Sequence, residues 1–238
     1  MDPGYASHYR DLYENHWWWR SRERIVLEVI EEFRQARGYG PILDVGCGDG
    51  LFFEQLRRFG EPEGVESDAS LLTAAGSKYG PIHVGTLDSY QPGKKYGLIL
   101  LLDVIEHVED DVAILRRARE LLASGGKVIV TVPALQGLWS HHDEINHHFR
   151  RYSRGSLRTV LVSSGFSPRR MEYLFQWTVP VKLAMRLREA LVHPALDAPR
   201  VPPYAINRML EAGTLLERWI NRPLRLPFGS SLLAVADE

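Results

Sequence analysis

Two groups of residues in this chain are arranged for chemistry. The first is Asp44-Val-Gly46-Cys47-Gly48-Asp-Gly50, a glycine-dense run directly after a short apolar stretch. Glycines there allow a sharp turn and let a ligand lie against bare main chain. A carboxylate, Glu66, follows twenty residues after Gly46, where an acid at the end of the next strand can accept both hydroxyls of a ribose. The spacing is G-x-G-x-G, without the final step that sets a helix N-terminus on a pyrophosphate. Asp44 and Asp49 add negative charge, which suits a cationic ligand better than a phosphate. The second group is histidine-rich. Four of the nine histidines (His141, His142, His147 and His148) fall within 139–153, and His107 lies in another acidic segment. Imidazoles titrate near neutrality and suit proton transfer. A structural role for each group is the simpler alternative: a tight turn for the glycines, a solvated loop for the histidines.

These residues need elements to hold them. Apolar spacing predicts a helix over 22–37, then strand 42–46, helix 50–59, strand 62–67, helix 69–79 and strand 82–85. GLILLLDV (97–104) is almost wholly apolar, as in a central strand covered on both faces. Helix 109–123 and strand 127–133 follow, then a polar loop over 134–152, helix 153–166 and strand 169–175. Residues 178–227 carry seven of the fourteen prolines and two amphipathic helices, near 179–192 and 204–221, before a last strand at 229–237. The alternation demands a parallel α/β sheet with helices on both faces.

The motifs, in this order, resemble the class I S-adenosylmethionine-dependent methyltransferases, over about residues 20–175. ILDVGCGDG is similar to the family's first motif, and Glu66 to its ribose-binding acid. LLDVIEHVED (101–110) resembles the fourth motif of the branch that includes the ubiquinone-biosynthesis O-methyltransferases, and LLASGGKVIVTVP (121–133) the entry to the fifth strand. The resemblance implies a Rossmann-like seven-stranded sheet, mostly parallel with a final antiparallel strand, and a helical insertion before that strand.

It also implies roles. Gly46, Cys47 and Gly48 would pass the methionine part of the cofactor, with Asp44 holding its ammonium. Glu66 would bind the ribose, with Ser67 beside it. Thr86 and Leu87 would lie along the adenine, Thr86 standing where the family usually has Asp. Leu102, Asp103 and His107 would line the floor by the sulfonium, and Arg22 or Arg24 would reach the cofactor's carboxylate. His147-His148-Phe149-Arg150-Arg151-Tyr152 resembles the H-D-x-K-K-F segment of the quinone enzymes. His107 and His147 are the candidate bases. Asp103, Glu106 and His107 match an E-x-x-E-H pattern that can bind a divalent ion, with Asp for the first Glu; no metal is assigned.

Lys plus Arg total 29 and Asp plus Glu 30, and no basic stripe is present, which disfavours nucleic acid. A single cysteine excludes an internal disulfide. No signal-peptide pattern and no spanning apolar stretch is visible, so a cytoplasmic location is expected. The expectation is one domain over 1–238, with an N-terminal helical segment (1–40) and a lid-like insertion (178–227). It would transfer a methyl group in line from S-adenosylmethionine to a small-molecule acceptor, a hydroxyl in the leading reading. A small amine or amino sugar is the alternative, and a cofactor-binding module without catalysis the non-enzymatic one. The helices of 178–227 would bury their apolar faces on the domain or in a homodimer, or form a lid or a peripheral membrane patch.

Overall fold

The computed structural model describes residues 10–34, 36, 38–73, 78–191, 200–224 and 226–238, the side chains of 189–191 excepted. Seven strands form one sheet: β1 (Gly40–Val45), β2 (Gly60–Glu66), β3 (Ile82–Val84), β4 (Tyr96–Leu102), β5 (Leu122–Pro133), β6 (Ser167–Leu174) and β7 (Ser231–Asp237). Their order is β3-β2-β1-β4-β5-β7-β6, and only β7 runs antiparallel to its neighbours β5 and β6. The helices are α1 (Trp17–Glu32), α2 (Phe53–Leu56), α3 (Asp111–Leu121), α4 (His141–Ile145), α5 (Arg154–Ser163), α6 (Thr178–Leu191) and α7 (Tyr204–Leu224). The chain order reverses between β1 and β4, and that switch point opens a crevice at the strands' carboxyl ends.

The apolar run of β4 explains the two-faced core. Ile99 and Leu101 join Leu115 and Ala118 of α3 and Leu157 and Leu161 of α5 on one face. Leu98 and Leu100 join Ile25, Val29 and Ile30 of α1 and Phe53 of α2 on the other. Residues 98–101 are all fully buried, each contributing about 1.5–3 kcal/mol over exposure.

Several elements differ from expectation. Helix α1 starts at Trp17, because the His16 ring accepts the Trp18 amide at 3.2 Å and caps it. Trp18 then stacks on Phe175, centroids 5.7 Å apart. The helix expected over 50–59 shrinks to Phe53–Leu56 because Gly60 already pairs with Gly40 in the sheet. The helix expected over 69–79 is a single turn, Ala69–Leu71, and residues 74–77 lie outside the described ones. Strand β5 begins at Leu122, directly after α3, because Leu122 pairs with Tyr96 before a register shift. The expected loop over 134–152 contains α4, closed by a capping box between Ser140 and Asp143.

Of the placements expected for the apolar residues of α7, burial on the domain does not hold for three of them: Ile206 is 47% exposed, Met209 65% and Leu216 57%. On α6, Leu183 and Leu187 are exposed as well.

The sheet is tightest where β4 enters. A Cβ at Gly97 would lie 1.9 Å from the carbonyl oxygen of Tyr39. We expect Gly97→Ala to cost about 1–3 kcal/mol by forcing two backbones apart. Urea unfolding measures this, and an unchanged midpoint would show that the backbones yield freely.

Candidate cofactor and acceptor site

The glycine loop closes the carboxyl end of β1 through residues that only glycine fills comfortably. Gly46, Gly48 and Gly50 have φ values of 71°, 53° and 66°, a region that strains other side chains. A Cβ at Gly46 would also sit 2.8 Å from Val104 Cγ2. The loop is fastened to β2 twice: the Gly46 amide donates to the Val65 carbonyl at 2.8 Å, and the Gly48 amide to Glu66 Oε2 at 2.9 Å. Glu66 Oε1 accepts the Asp68 amide at 2.8 Å. Each carboxylate oxygen thus keeps a lone pair for a further hydroxyl donor. Asp49, counted in the sequence as free negative charge, is instead tied to Thr73 at 2.7 Å and paired with Arg10.

Asp44 is buried, and burial raises its pKa to about 7, with Arg22 opposing and Glu66 reinforcing the shift. Arg22 projects from α1, its guanidinium 5.2 Å above the Trp18 ring, and pairs with Asp103. Arg24, the alternative in the sequence, pairs with Glu211 at 3.1 Å and points elsewhere. Asp103 directly follows β4 at φ 57°, its amide bonded to the Thr131 carbonyl at 2.9 Å. Burial pushes the Cys47 thiol far up, so it is no nucleophile at neutral pH. At the adenine end Ser67 and Thr86 are exposed, whereas Leu87 is buried in the core.

The acceptor side was only half visible in the sequence. His107 lies beside His148, not His147: their rings meet edge to face with centroids 4.6 Å apart. His148 Nδ1 is 2.9 Å from Asp143 Oδ1, and Arg151 grips both oxygens of Asp143 at 2.8 and 2.9 Å. Burial opposes ionisation of Asp143, but the hydrogen bonds from His148 and Arg151 outweigh it and hold the carboxyl well below its usual range. His147 is exposed, at φ 56°. The Phe149 amide donates to the Glu106 carbonyl at 2.7 Å and clamps this loop to the turn after β4.

Although its side chain stays exposed to solvent, the protein packed around His107 lowers its pKa to about 4, and repulsion from His148 adds to the shift. Full burial pushes Glu106 well above the carboxylate range, with the Asp103 charge assisting. Neither Glu106 oxygen has a hydrogen-bond partner among the described residues. Glu106, His107 and His148 each offer one donor atom within 4.8 Å of the others, a spacing that could take a divalent ion. Asp103, the first member of the sequence pattern, is drawn to Arg22 instead. Lys182 of α6 reaches this region, its pKa lowered to about 8 by burial and by Arg151. The sequence signal that could have exposed the Asp143–His148 pair is the five-residue spacing around a helix end, read only as part of a His-rich loop.

Residues 17–170 match a protein family described as Methyltransferase domain. The chain belongs to this family. The ubiquinone biosynthesis O-methyltransferase of Bradyrhizobium sp. (strain ORS 278) is 33% identical to this methyltransferase over 97 residues, 38% of either chain. That of Azorhizobium caulinodans is 36% identical over 158 residues, 55% of this chain and 62% of its own. The chain therefore spans less than two thirds of these relatives' lengths. A SAM-dependent methyltransferase from Archaeoglobus fulgidus superposes with a TM-score of 0.58 at 17% identity, covering 91% of this chain and 94% of its own, a likeness of fold. The residues at the crevice fit S-adenosylmethionine: a bare glycine turn, a buried carboxylate with spare lone pairs, and a second buried carboxyl, Asp44, beside them.

Two outcomes follow from this geometry. Glu66→Ala should weaken S-adenosylmethionine by about 1.5–3 kcal/mol in calorimetry, the scale of charge-assisted hydrogen bonds; wild-type affinity would remove Glu66 from the site. Asp44 should make binding pH-dependent. Its folded pKa of about 7 lies above the ordinary carboxylate value, so the ligand-free fold binds the extra proton and loses that stabilisation as pH rises toward 7. A cationic ligand needs the carboxylate, so affinity should fall as pH drops below 7, by up to about tenfold per unit. Asp44→Asn should flatten that profile; an unaltered slope would assign the dependence to another group.

Proposed function

We propose that this methyltransferase acts on a hydroxyl of a small-molecule acceptor, with a histidine of the 107/148 pair receiving the proton. The observation that carries the reading is the Asp143–His148 hydrogen bond at 2.9 Å, with Asp143 fixed in turn by Arg151. That bond sets Nδ1 as the donor and leaves Nε2 to accept a proton, the orientation a general base requires. His107, neutral at physiological pH, is the second candidate at the same place, and His147 the exposed third. When bound, S-adenosylmethionine supplies an activated methyl group on a good leaving group. The chain's own part is to align the acceptor, keep water out and take one proton.

Arg22 would turn from Asp103 toward the cofactor's carboxylate, and Gly46, Cys47 and Gly48 would flank its methionine part. Glu66 with Ser67 would take the ribose, and Thr86 and Leu87 the adenine edge. Leu102 and Asp103 would form the floor under the transferred methyl. The O-methyltransferase names of the relatives, at 33% and 36% identity, support oxygen over nitrogen. A buried free thiol as the chain's only cysteine suits a cytoplasmic setting.

The test is release of S-adenosylhomocysteine with phenolic, sugar and amine acceptors at saturating cofactor. A hydroxyl acceptor should be turned over, and His148→Ala should lower its turnover by about 10²–10⁴ with cofactor affinity unchanged. His107→Ala and His147→Ala, measured beside it, separate the three candidates. Turnover of amines alone, with every histidine variant fully active, would overturn the hydroxyl reading.

A further inference from the structure

Both insertion helices turn polar side chains inward. On α7 these are Asn207, Glu211 and Thr214, all buried and all partnered. Asn207 accepts the Trp17 amide at 2.8 Å, Glu211 is held by Arg20 at 3.2 Å and Arg24 at 3.1 Å, and Thr214 accepts from the Trp177 indole at 3.1 Å. On α6 the inward row is Thr178, Lys182 and Arg186, each one helical turn after the last and so on one face. Both ends of that row are fixed. Thr178 is buried and donates to the Phe175 carbonyl at 2.7 Å, and Arg186 donates to the Gly137 carbonyl. This anchoring holds Lys182 half-buried, although Val181, Leu183 and Met185 beside it are exposed.

Lys182 is the exception among these inward groups. Among the described residues, no hydrogen bond or ion pair holds its ammonium. Three charges act on it: Arg151 repels it, and Asp143 and Asp103 attract it. Both acids are already matched. Arg151 holds both oxygens of Asp143, and Arg22 is paired with Asp103. The neighbouring His142 is neutral, because the protein packed around it, and after that the Lys182 charge, lower its pKa to about 4. Cofactor binding as proposed above leaves this count unchanged: Arg22 would turn to the cofactor's carboxylate, but a sulfonium would take its place near Asp103. A half-buried cation without a counter-ion is unfavourable, and the apolar residues on either side of it would suit the inward row better. One negative charge is thus missing beside the Asp143–His148 pair, and a ligand with that charge completes the set.

We propose that the acceptor carries a carboxylate near its hydroxyl and that Lys182 binds it, so that Lys182 selects hydroxy acids over neutral alcohols. The inference rests on the reading that the acceptor hydroxyl lies at the 107/148 pair. A single ammonium matches a monoanion. A phosphate monoester, with a charge of about −2 at neutral pH, would leave one charge unmatched.

Calorimetry on the full chain loaded with S-adenosylhomocysteine tests this without any turnover. Salicylate, glucuronate and 3-hydroxybutyrate are each compared with their primary amides. At least one acid should bind about tenfold or more tightly than its amide. Lys182→Met and Lys182→Gln should abolish that difference, with S-adenosylmethionine affinity unchanged and a melting temperature at or above that of the wild type. If no acid binds better than its amide, or if the preference survives both substitutions, the proposal is overturned. Tighter binding of glucose 6-phosphate than of every acid overturns it too. So does a lower melting temperature in both variants, which would make Lys182 a structural residue. Failure of the hydroxyl reading shows instead as turnover of amines alone, a readout that these binding measurements do not share.

Discussion

A single buried carboxylate joins the two halves of the cofactor crevice. Glu66 accepts the Gly48 amide with one oxygen and the Asp68 amide with the other. The loop after β1 is therefore fixed against the turn after β2 before any ligand arrives. That link works only because the backbone can approach so closely: Gly48 has no side chain, and Gly46 turns through a φ of 71° under Val104. Pre-organisation of this kind removes the ordering cost that binding would otherwise carry. Asp44 lies behind the loop as a buried acid, and the nearby Arg22–Asp103 pair balances two further charges of the crevice.

The acceptor side is built on a different principle. Leu135 and His147 both adopt positive φ values, 63° and 56°, and the loop between them folds into the short helix α4. This conformation puts Asp143, Arg151 and His148 into one buried network, and the Phe149 amide anchors it beneath the turn that carries Glu106 and His107. Backbone strain at a site is tolerated where the surroundings over-determine it, and here the bidentate Arg151–Asp143 pair does so. Lys182 brings α6 over the same region, and Arg186 reaches the Gly137 carbonyl, so the first insertion helix packs against the Asp143 network.

Through α1, the second insertion helix α7 and the crevice at Asp103 become mechanically related. Arg20 and Arg24 of α1 hold Glu211 of α7, while Arg22 of the same helix pairs with Asp103 in the crevice. Alternate residues of one helical turn thus face two different partners, and the seating of α7 helps fix where Arg22 stands.

The sequence by itself determined the sheet and marked the glycine loop and Glu66, which the fold brings together through the Gly48 amide. The unbroken apolar run of β4 forces a strand buried on both faces; both signals are local and survive without knowledge of neighbours. Tertiary structure decided the rest. The helix expected over 50–59 is cut to about one turn, because the strand pairing of Gly60 with Gly40 claims residues that helix propensity alone would extend. The histidine partner of His107 was decided by a loop whose conformation depends on Asp143 and Arg151 meeting in the interior, a contact no spacing rule reveals. The direction of α7 was likewise invisible: the amphipathic period shows that a helix has two faces, but which one turns inward depends on what the neighbouring surface offers. Here α1 and Trp177 offer hydrogen-bond donors and guanidinium groups, and a buried polar face paired to them is favoured over an apolar face that would leave those groups unsatisfied.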